Sequence, residues 1–376
     1  MAERRNFEVI IIGGGIAGAS LAYFLAVRGV TDTLLLERET QHGYHATGRS
    51  AATLVEWDSI ATVQRLKRLG GNFLKNPPPG FAENPLVDHS QVMLLFRDGN
   101  LGDFGKSVEG LRRDGVEFHE LSGAESVARI SALTPGDSAR SILLTSDGRI
   151  DVHELLSSYL RGARSAGVEI RTGAQARQLI VERGRCSGVA TATERLHAAW
   201  VVDAAGAWAG EIAQLAQAAP IRLEPRRRSI VIFDPPSDLD VRGWPFTISE
   251  ADQIYFGPES GGLMLSPMDQ VPMAPCDAVP DDETIAAAME RLRVLAPRLV
   301  PRALKRRWAG LRTFSPDSIP IVGEDPRVRG FFWLAGQAGF GIESSGALGQ
   351  IAADLIARGA TRMFDATILS PARFGA

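Results

Sequence analysis

Residues 7–37 read FEVIIIGGGIAGASLAYFLAVRGVTDTLLLE. Residues 7–12 are apolar apart from Glu8 and mostly β-branched, so they predict a buried strand that stops at three glycines. The apolar residues that follow lie near helical spacing up to Gly29, at a position where glycine commonly closes a helix. Residues 33–36 predict a second buried strand, with Glu37 at its end. The stretch is therefore predicted to form a βαβ unit of about thirty residues.

Gly13, Gly15 and Gly18 fit the G-x-G-x-x-G pattern. They lie between a predicted strand and a predicted helix, which is where this pattern indicates dinucleotide binding. Gly13 permits the tight turn, Gly15 lets the backbone approach a pyrophosphate, and Gly18 lets the helix pack on the strand. The helix N-terminus can then face the phosphates. Glu37 can accept hydrogen bonds from an adenosine ribose. The pattern predicts a dinucleotide-binding site; the alternative is a glycine turn used only for packing.

Composition restricts the remaining possibilities. The chain has 376 residues, of which 45% are hydrophobic and 23% charged, and its formal net charge is -3. These values are typical of a globular protein of two or three domains, and they exclude a disordered or collagen-like chain. The near-neutral charge argues against nucleic acid as a partner. A small molecule is the expected partner.

The chain has two cysteines, Cys186 and Cys276. They cannot form a disulfide framework or a paired-cysteine metal site, so we predict no metal and a cytoplasmic location. No apolar run approaches the roughly 20 residues that a membrane span needs, so no integral membrane segment is expected. Lysines are scarce among the basic residues, and arginine clusters are therefore weak indicators of function.

The distribution of predicted strands and helices indicates an α/β fold in which two domains interleave. We predict a Rossmann-like dinucleotide-binding domain from residues 1–78, 147–218 and 317–376. Residues 79–146 and 219–316 are predicted to form a second, α+β domain that binds the substrate on a mostly antiparallel sheet. The proline run near the first boundary is typical of a crossing between domains.

Four further motifs follow GGGIAG in the chain: GYHATGRSAA at 43–52, VVDAAGAWA at 201–209, WAGLRTFSPDSIPIVG at 308–323 and GFFWLAGQAGFGIESSGALG at 330–349. With these motifs the sequence resembles the glycine oxidase and D-amino-acid oxidase/dehydrogenase family of flavoproteins along nearly its whole length. Within that family it is most similar to the D-arginine dehydrogenases. The resemblance implies FAD as the cofactor and oxidation of an amino acid.

The motifs and the resemblance together identify the residues that are expected to bind FAD. These are Gly13, Gly15, Ile16, Ala17, Gly18, Glu37, Arg38, His45, Thr47, Gly48, Arg49, Ser50, Ala51, Ala205, Gly206, Trp208, Gly310, Gly339, Gly341, Ile342, Glu343 and Ser344. Residues 47–50 are small or carry donors, which suits close approach to a flavin, although an ordinary turn is the alternative. The last glycine turn precedes a predicted helix over 342–358, whose N-terminus would stabilise an anionic reduced flavin; a glycine hinge is the alternative.

His45 occupies the position at which some relatives attach the flavin covalently, whereas the relatives most similar to this sequence bind it noncovalently. Both alternatives stay open at this point, because a loop histidine is commonly only a polar neighbour.

An amino-acid substrate needs a cation for its carboxylate, and an arginine fork makes that contact bidentate. The resemblance implies that Arg312 is this arginine and that Tyr255 donates a hydrogen bond to the same carboxylate. It also implies a second active-site arginine within the run 226–228, where Arg228 aligns best. The alternative for that run is a solvated sheet edge.

Three positions depart from the D-arginine dehydrogenases, in which a glutamate, a tyrosine and a histidine help to define a pocket for a basic side chain. The aligned residues here are Val92, Asp58 and Thr53. Val92 cannot compensate the desolvation of a guanidinium, although Asp58 or Glu56 could supply another carboxylate. We therefore expect uncharged D-amino acids to be preferred over D-arginine.

The resemblance thus predicts an FAD-dependent D-amino-acid dehydrogenase or oxidase. Hydride transfer to the flavin would give an imino acid, which water converts to a 2-oxo acid and ammonia. The electron acceptor would be oxygen, a quinone or a carrier. The alternatives are oxidation of an N-methyl amino acid, an opine or a 2-hydroxy acid, and a noncatalytic flavin-binding subunit.

Overall fold

The computed structural model describes residues 5–97, 99–134, 136, 139–259 and 261–375. Residues 1–4, 98, 135, 137, 138, 260 and 376, which the predicted domain ranges include, lie outside the described residues. The helices are α1 (Ile16–Val27), α2 (Ala61–Lys75), α3 (Leu101–Arg113), α4 (Gly123–Arg129), α5 (Val152–Ser165), α6 (Ala209–Ala216), α7 (Asp282–Leu295) and α8 (Ser345–Arg358).

Twenty strands are present in the described part of the chain. They are β1 (Arg5–Ile12), β2 (Thr33–Leu36), β3 (Thr53–Leu54), β4 (Val92–Phe96), β5 (Phe118–Ser122), β6 (Arg140–Leu144), β7 (Gly148–Arg149), β8 (Glu169–Arg171), β9 (Gln178–Glu182), β10 (Arg185–Ala190), β11 (Arg195–Asp203), β12 (Glu224–Phe233), β13 (Phe246–Ser249), β14 (Ile254–Glu259), β15 (Gly262–Ser266), β16 (Val271–Pro272), β17 (Arg306–Phe314), β18 (Ile321–Glu324), β19 (Phe331–Ala335) and β20 (Gln337–Ala338).

The first sheet has the order β18-β19-β11-β1-β2-β8, with β10 and β9 attached beside β11. The strands from β19 to β8 are mutually parallel, and β18 runs antiparallel to β19. Val9 and Ile11 pack into the core with α1, α5 and α8, whereas Ile10 and Ile12 face the core on the α6 side. Burial on both faces explains why β1 is a continuous apolar run, as in other parallel sheets.

The second sheet has the order β20-β17-β12-β15-β14-β13-β4-β6-β5, and β16 pairs with β12. It is antiparallel apart from the parallel pair β13 and β4. Val231 and Phe233 pack with α7, whereas Ile230 and Ile232 belong to the apolar cluster on the opposite face, which also holds Tyr255. The two sheets confirm the predicted α/β fold with a mostly antiparallel second part.

Several elements differ from the sequence-based expectations. The last helix begins at Ser345 rather than at residue 342, because residues 340–345 form hydrogen-bonded turns first. The sequence also predicts a helix from Trp208 to Gln217, where the structure has a 3-10 turn at Gly206–Trp208 followed by α6. β20 lies within 317–376, the segment predicted to belong to the dinucleotide-binding domain, yet it pairs with β17 of the second sheet.

Candidate active site

A cavity of about 820 Å³ is lined by residues from both sheets. Its walls come from the turn between β1 and α1, the loop at residues 43–53, α2, β12, β14, β17 and the turn at residues 337–343. Its volume lies within the range of small-molecule and cofactor sites. Most of the predicted FAD-binding residues and all three predicted substrate-binding residues line this one cavity.

The glycine turn after β1 has the geometry that a pyrophosphate requires. Gly13 has a φ of +113°, and an added Cβ would overlap the carbonyl of Ala204. An added Cβ on Gly18 would overlap the carbonyl of Gly13, so this glycine serves helix-strand packing. Gly15 is different, because its nearest neighbour would be Thr47 Oγ1 at 3.3 Å and it lines the cavity. The space beside Gly15 therefore forms a cradle for a phosphate group.

Glu37 is held in place by two backbone donors. Its Oε2 accepts the Gly14 N–H at 2.8 Å and its Oε1 accepts the Glu39 N–H at 2.8 Å. The carboxylate is buried and lines the cavity. Each carboxylate oxygen can accept more than one hydrogen bond, so Glu37 keeps the capacity to bind ribose hydroxyls. These residues fit an adenosine dinucleotide.

Arg38, His45 and Trp208 form a further wall of the cavity. The Arg38 guanidinium stacks 3.8 Å from the centroid of the Trp208 ring, and the His45 ring centroid lies 4.5 Å from that of Trp208. His45 Nε2 is 2.9 Å from Glu39 Oε1, and this hydrogen bond helps to lower the pKa of Glu39. This pairing holds the His45 ring in place through Nε2.

Three predicted FAD-binding residues lie behind the wall instead of lining the cavity. Gly18 packs against the backbone of Gly13, and an added Cβ on Gly48 would meet the carbonyl of Gly43 at 2.6 Å. Ser344 is fully buried and donates its hydroxyl hydrogen bond to the carbonyl of Phe340. Backbone packing at the two glycines and the hydrogen bond of Ser344 keep these residues out of the cavity lining.

Asp203, at the end of β11, is a buried acid that the sequence did not single out. Its Oδ1 accepts the Ala205 N–H at 3.1 Å, and its Oδ2 has no hydrogen-bond partner among the described residues. Burial raises the pKa of Asp203 from 3.8 to about 8. Between pH 3.8 and about pH 8 the folded state therefore holds a proton that the unfolded chain has already released. The free energy of unfolding falls as pH rises through this range.

We expect Asp203→Asn to remove this pH dependence, because an amide keeps the bond to the Ala205 N–H without titrating. The melting temperature of the variant minus that of the wild type should increase as the pH is raised from about 5 to about 8.5. One proton over one pH unit corresponds to about 1.4 kcal/mol in the free energy of unfolding. Calorimetry of both apoproteins at matched ionic strength measures the difference. A difference that stays constant with pH would contradict the assignment.

The predicted substrate residues come from three strands of the second sheet: Arg228 from β12, Tyr255 from β14 and Arg312 from β17. Arg228 donates from Nε to the carbonyl of Asp269 at 2.9 Å, and its Cζ lies 5.7 Å from the Tyr255 ring centroid. Arg312 donates to the carbonyl of Gly339 at 3.4 Å. Burial, together with the Arg228 charge, lowers the pKa of Arg312 to about 10, so it is still a cation near neutral pH.

The sheet separates the three consecutive arginines of β12. Arg226 pairs with Glu224 at 2.6 Å and Arg227 pairs with Asp269 at 3.0 Å. Arg228 is 5% exposed and lines the cavity. The solvated-edge alternative therefore does not apply to Arg228, which faces the same space as Arg312.

The sequence-based argument from Val92 is wrong. Val92 is fully buried in the core of the second sheet, between Phe246 and Leu144, and does not line the cavity. Its side chain therefore cannot decide whether the substrate carries a guanidinium. Thr53 does line the cavity.

Among the acidic residues near these positions, Asp58 lines the cavity and is held by Lys67 at 3.3 Å. Glu56 pairs with Lys75 at 2.7 Å and does not line the cavity. Glu250, which belongs to none of the sequence motifs, does line it. Of the proposed replacement carboxylates, only Asp58 is thus placed to approach a bound molecule.

No helix in the described part of the chain is long and apolar enough to cross a membrane.

Residues 8–355 match the family model described as FAD dependent oxidoreductase. The chain is 26% identical over 404 residues to mitochondrial dimethylglycine dehydrogenase of Homo sapiens, covering 98% of this chain but 44% of that protein. The chain thus spans less than half the length of this relative. It is 25% identical over 362 residues to the uncharacterized oxidoreductase YurR of Bacillus subtilis, covering 92% of this chain and 94% of that one.

Solved structures share the fold. L-proline dehydrogenase from P. horikoshii matches with a TM-score of 0.87 at 22% identity, covering 99% of each chain. Glycine oxidase from Geobacillus kaustophilus matches with a TM-score of 0.82 at 21% identity, covering 97% of this chain and 98% of that one. The family match extends over the glycine turn, the cavity and the substrate arginines. The chain therefore belongs to the FAD dependent oxidoreductase family, and it is an enzyme with FAD as its cofactor.

Proposed function

We propose that this enzyme oxidises a D-amino acid to the imino acid, which water then hydrolyses to a 2-oxo acid and ammonia. The observation that carries the proposal is the convergence of Arg312, Arg228 and Tyr255 on the cavity that the FAD motifs also line. Two guanidinium groups and a phenol hydroxyl form a donor set suited to one carboxylate.

Bound FAD supplies the two-electron acceptor that takes a hydride from the substrate α-carbon. Arg312 binds the substrate carboxylate, and Tyr255 donates its hydroxyl hydrogen bond to the same group. Arg228 adds a second positive charge and is itself fixed by the carbonyl of Asp269. With the carboxylate held by residues of the second sheet, the substrate is positioned within the cavity that the FAD-binding motifs also line. Orientation is thus the main contribution of the protein.

The wall beside Tyr255 is apolar. Trp57, Ile248 and Met268 pack in the same cluster as Tyr255 and also line the cavity. This wall supports a preference for an uncharged side chain such as that of D-leucine or D-methionine. A pocket of this kind discriminates by about 1 to 3 kcal/mol per methylene.

Anaerobic mixing of the holoenzyme with D- and L-amino acids tests the substrate class directly. We expect D-leucine and D-methionine to bleach the flavin and to yield ammonia after turnover, with a higher kcat/KM than D-arginine. A kcat/KM for D-arginine about tenfold or more above that for D-leucine would overturn the side-chain preference. Asp58→Ala and Glu250→Gln, measured side by side, would then identify the carboxylate responsible.

A second candidate is oxidation of an N-methyl amino acid, which the similarity to dimethylglycine dehydrogenase favours. The same carboxylate site would serve it, but an N-methyl substrate releases an aldehyde and an amine instead of ammonia. The panel therefore includes N-methylated amino acids, opines and 2-hydroxy acids. Failure of every acid to reduce the flavin would favour a noncatalytic flavin-binding subunit.

Three further expectations belong to this proposal. The re-oxidant is oxygen, a quinone or a carrier, and admitting air to the reduced enzyme separates the first from the others. The location is cytoplasmic. The FAD-binding domain comprises 1–78, 147–218 and 317–376, and the substrate-binding domain comprises 79–146 and 219–316.

A further inference from the structure

Lys67 is one of four lysines among the 41 lysine and arginine residues of the chain. It lies on α2, is 6% exposed and lines the cavity. Its Nζ donates to the Trp57 carbonyl at 2.8 Å and lies 3.3 Å from both Asp58 Oδ2 and Glu343 Oε1. Three acceptors match the three donors of an ammonium group. In a chain that uses arginine almost everywhere, a buried lysine with this geometry indicates a requirement for the smaller cation.

The three acceptors belong to two separate segments of the cavity wall. Trp57 and Asp58 lie in the segment at residues 55–58, and Glu343 lies in the turn at residues 339–344. Glu343 Oε2 also accepts the Val55 N–H at 2.8 Å, which joins the two segments directly. Lys67 and Glu343 together therefore hold both segments against α2.

The backbone of α2 approaches the turn as closely as its side chains allow. An added Cβ on Gly70 would overlap the carbonyl of Glu343, so α2 and the turn are in backbone contact at that point. A longer, planar guanidinium in place of the Lys67 ammonium would have to move one of the two segments. The spacing thus selects lysine.

The turn at residues 339–344 also holds Arg312, the arginine that we propose binds the substrate carboxylate. Gly339 begins it, and the Gly339 carbonyl accepts a hydrogen bond from Arg312 at 3.4 Å. An added Cβ on Gly339 would overlap the Arg312 guanidinium, which shows how closely the two pack. A displacement of the turn therefore moves Arg312 as well as the residues expected to contact the flavin.

The charges in this cluster depend on one another. Burial lowers the pKa of Lys67, but the charges of Glu343 and Asp58 raise it by more, so Lys67 is a cation. Burial raises the pKa of Glu343 to about 7, against the lowering effect of Lys67. Removing the ammonium leaves buried Glu343 and half-buried Asp58 without their cation, which is costly in a partly desolvated site.

We propose that Lys67 is a positioning residue that joins residues 55–58 to the turn at 339–344 and thereby sets the geometry of the FAD site and of Arg312. The part that concerns FAD depends only on the cofactor. The part that concerns Arg312 rests on the proposed function.

Titration of apoprotein with FAD alone tests the first part without any substrate. For Lys67→Met we expect a Kd for FAD raised about tenfold or more, with a changed visible absorption spectrum of the bound flavin, because the turn relaxes. Lys67→Arg should not restore wild-type binding. Adding Glu343→Gln to Lys67→Met should recover part of the affinity, because it removes one uncompensated carboxylate and keeps an acceptor for the Val55 N–H.

Lys75→Met is the matched control, because Lys75 lies on the same helix and pairs with buried Glu56 and with Ser146, whereas no hydrogen bond or ion pair joins it to the turn among the described residues. We expect it to lower the melting temperature while leaving the flavin spectrum unchanged and the Kd within about threefold of wild type. Equal effects of Lys67→Met and Lys75→Met would overturn the proposal, as would an unchanged spectrum in folded Lys67→Met. If Lys67→Met does not fold, Glu343→Gln replaces it, with a raised Kd and an altered spectrum expected and wild-type values overturning the proposal.

Substrate kinetics then test the Arg312 part. In Lys67→Met saturated with FAD, KM for the carboxylate substrate should rise more than kcat falls, since Arg312 binds that group. If the screen finds no carboxylate substrate, the proposed function fails while the FAD titration still decides the role of Lys67. A KM unchanged alongside an altered FAD site would overturn the coupling to Arg312.

Discussion

Gly15→Val is expected to abolish FAD binding while leaving the chain folded. The valine side chain would occupy the cradle beside Thr47 Oγ1, where the phosphates must approach the backbone. Apart from residues 14 and 16, no other described atom lies within 4 Å of an added Cβ, so the fold should tolerate the change. We expect the affinity for FAD to fall about 100-fold or more, equivalent to about 2.7 kcal/mol. The variant should purify colourless with wild-type circular dichroism and should not bind added FAD.

Gly18→Val provides the contrast within the same motif. An added Cβ at Gly18 would overlap the carbonyl of Gly13, so this change should disrupt the packing of α1 on β1 and lower the melting temperature. Loss of FAD without loss of fold at Gly15, and loss of fold at Gly18, separates the two roles of the motif. A yellow Gly15→Val protein with wild-type affinity would falsify the assignment of the cradle.

Arg312→Met is expected to retain FAD and to lose most of its activity on any carboxylate substrate. Arg312 is half-buried and lines the cavity, so it would pair with the substrate carboxylate in a site with restricted access to water. Losing such a pair costs about 2 to 5 kcal/mol, or roughly 30- to 5000-fold in kcat/KM. Stopped-flow flavin reduction measures the loss apart from re-oxidation.

Arg226→Met is a suitable control, because Arg226 faces Arg312 in the register of β12 and β17 but pairs with Glu224 outside the cavity. It should stay within about threefold of wild type in kcat/KM. An effect of Arg312→Met below about tenfold would move the carboxylate site elsewhere, and Arg228→Met would be the next variant to measure.

The sequence by itself determined the local parts of this protein. The strand, glycine turn, helix and acidic strand end within residues 7–37 can be predicted from the sequence. Each of them depends on residues that are only a few positions apart. β1, α1 and β2 follow the predicted order of strand, helix and strand for the same reason. The order of five motifs was enough to identify FAD as the cofactor.

Tertiary structure decided which of several equivalent residues face the cavity. The resemblance favours Arg228 in the run 226–228, but residue type alone does not distinguish it from its neighbours, and its position in the cavity wall follows from the pairing of β12 with β17 and β15. The prediction that Val92 lines the substrate pocket is wrong because its burial depends on β13 and β6, which lie far from it in the chain.

Lys67 and Glu343 are 276 positions apart in the sequence, and only the packing of α2 against the turn before α8 brings them to 3.3 Å. No local sequence pattern predicts such a contact, because it depends on how two segments that are distant in the chain pack against each other. The sequence therefore determined the fold and the cofactor. Only the tertiary structure decided which charged groups are desolvated together beside that cofactor, and the cost of burying those charges makes their exact pairing matter for function.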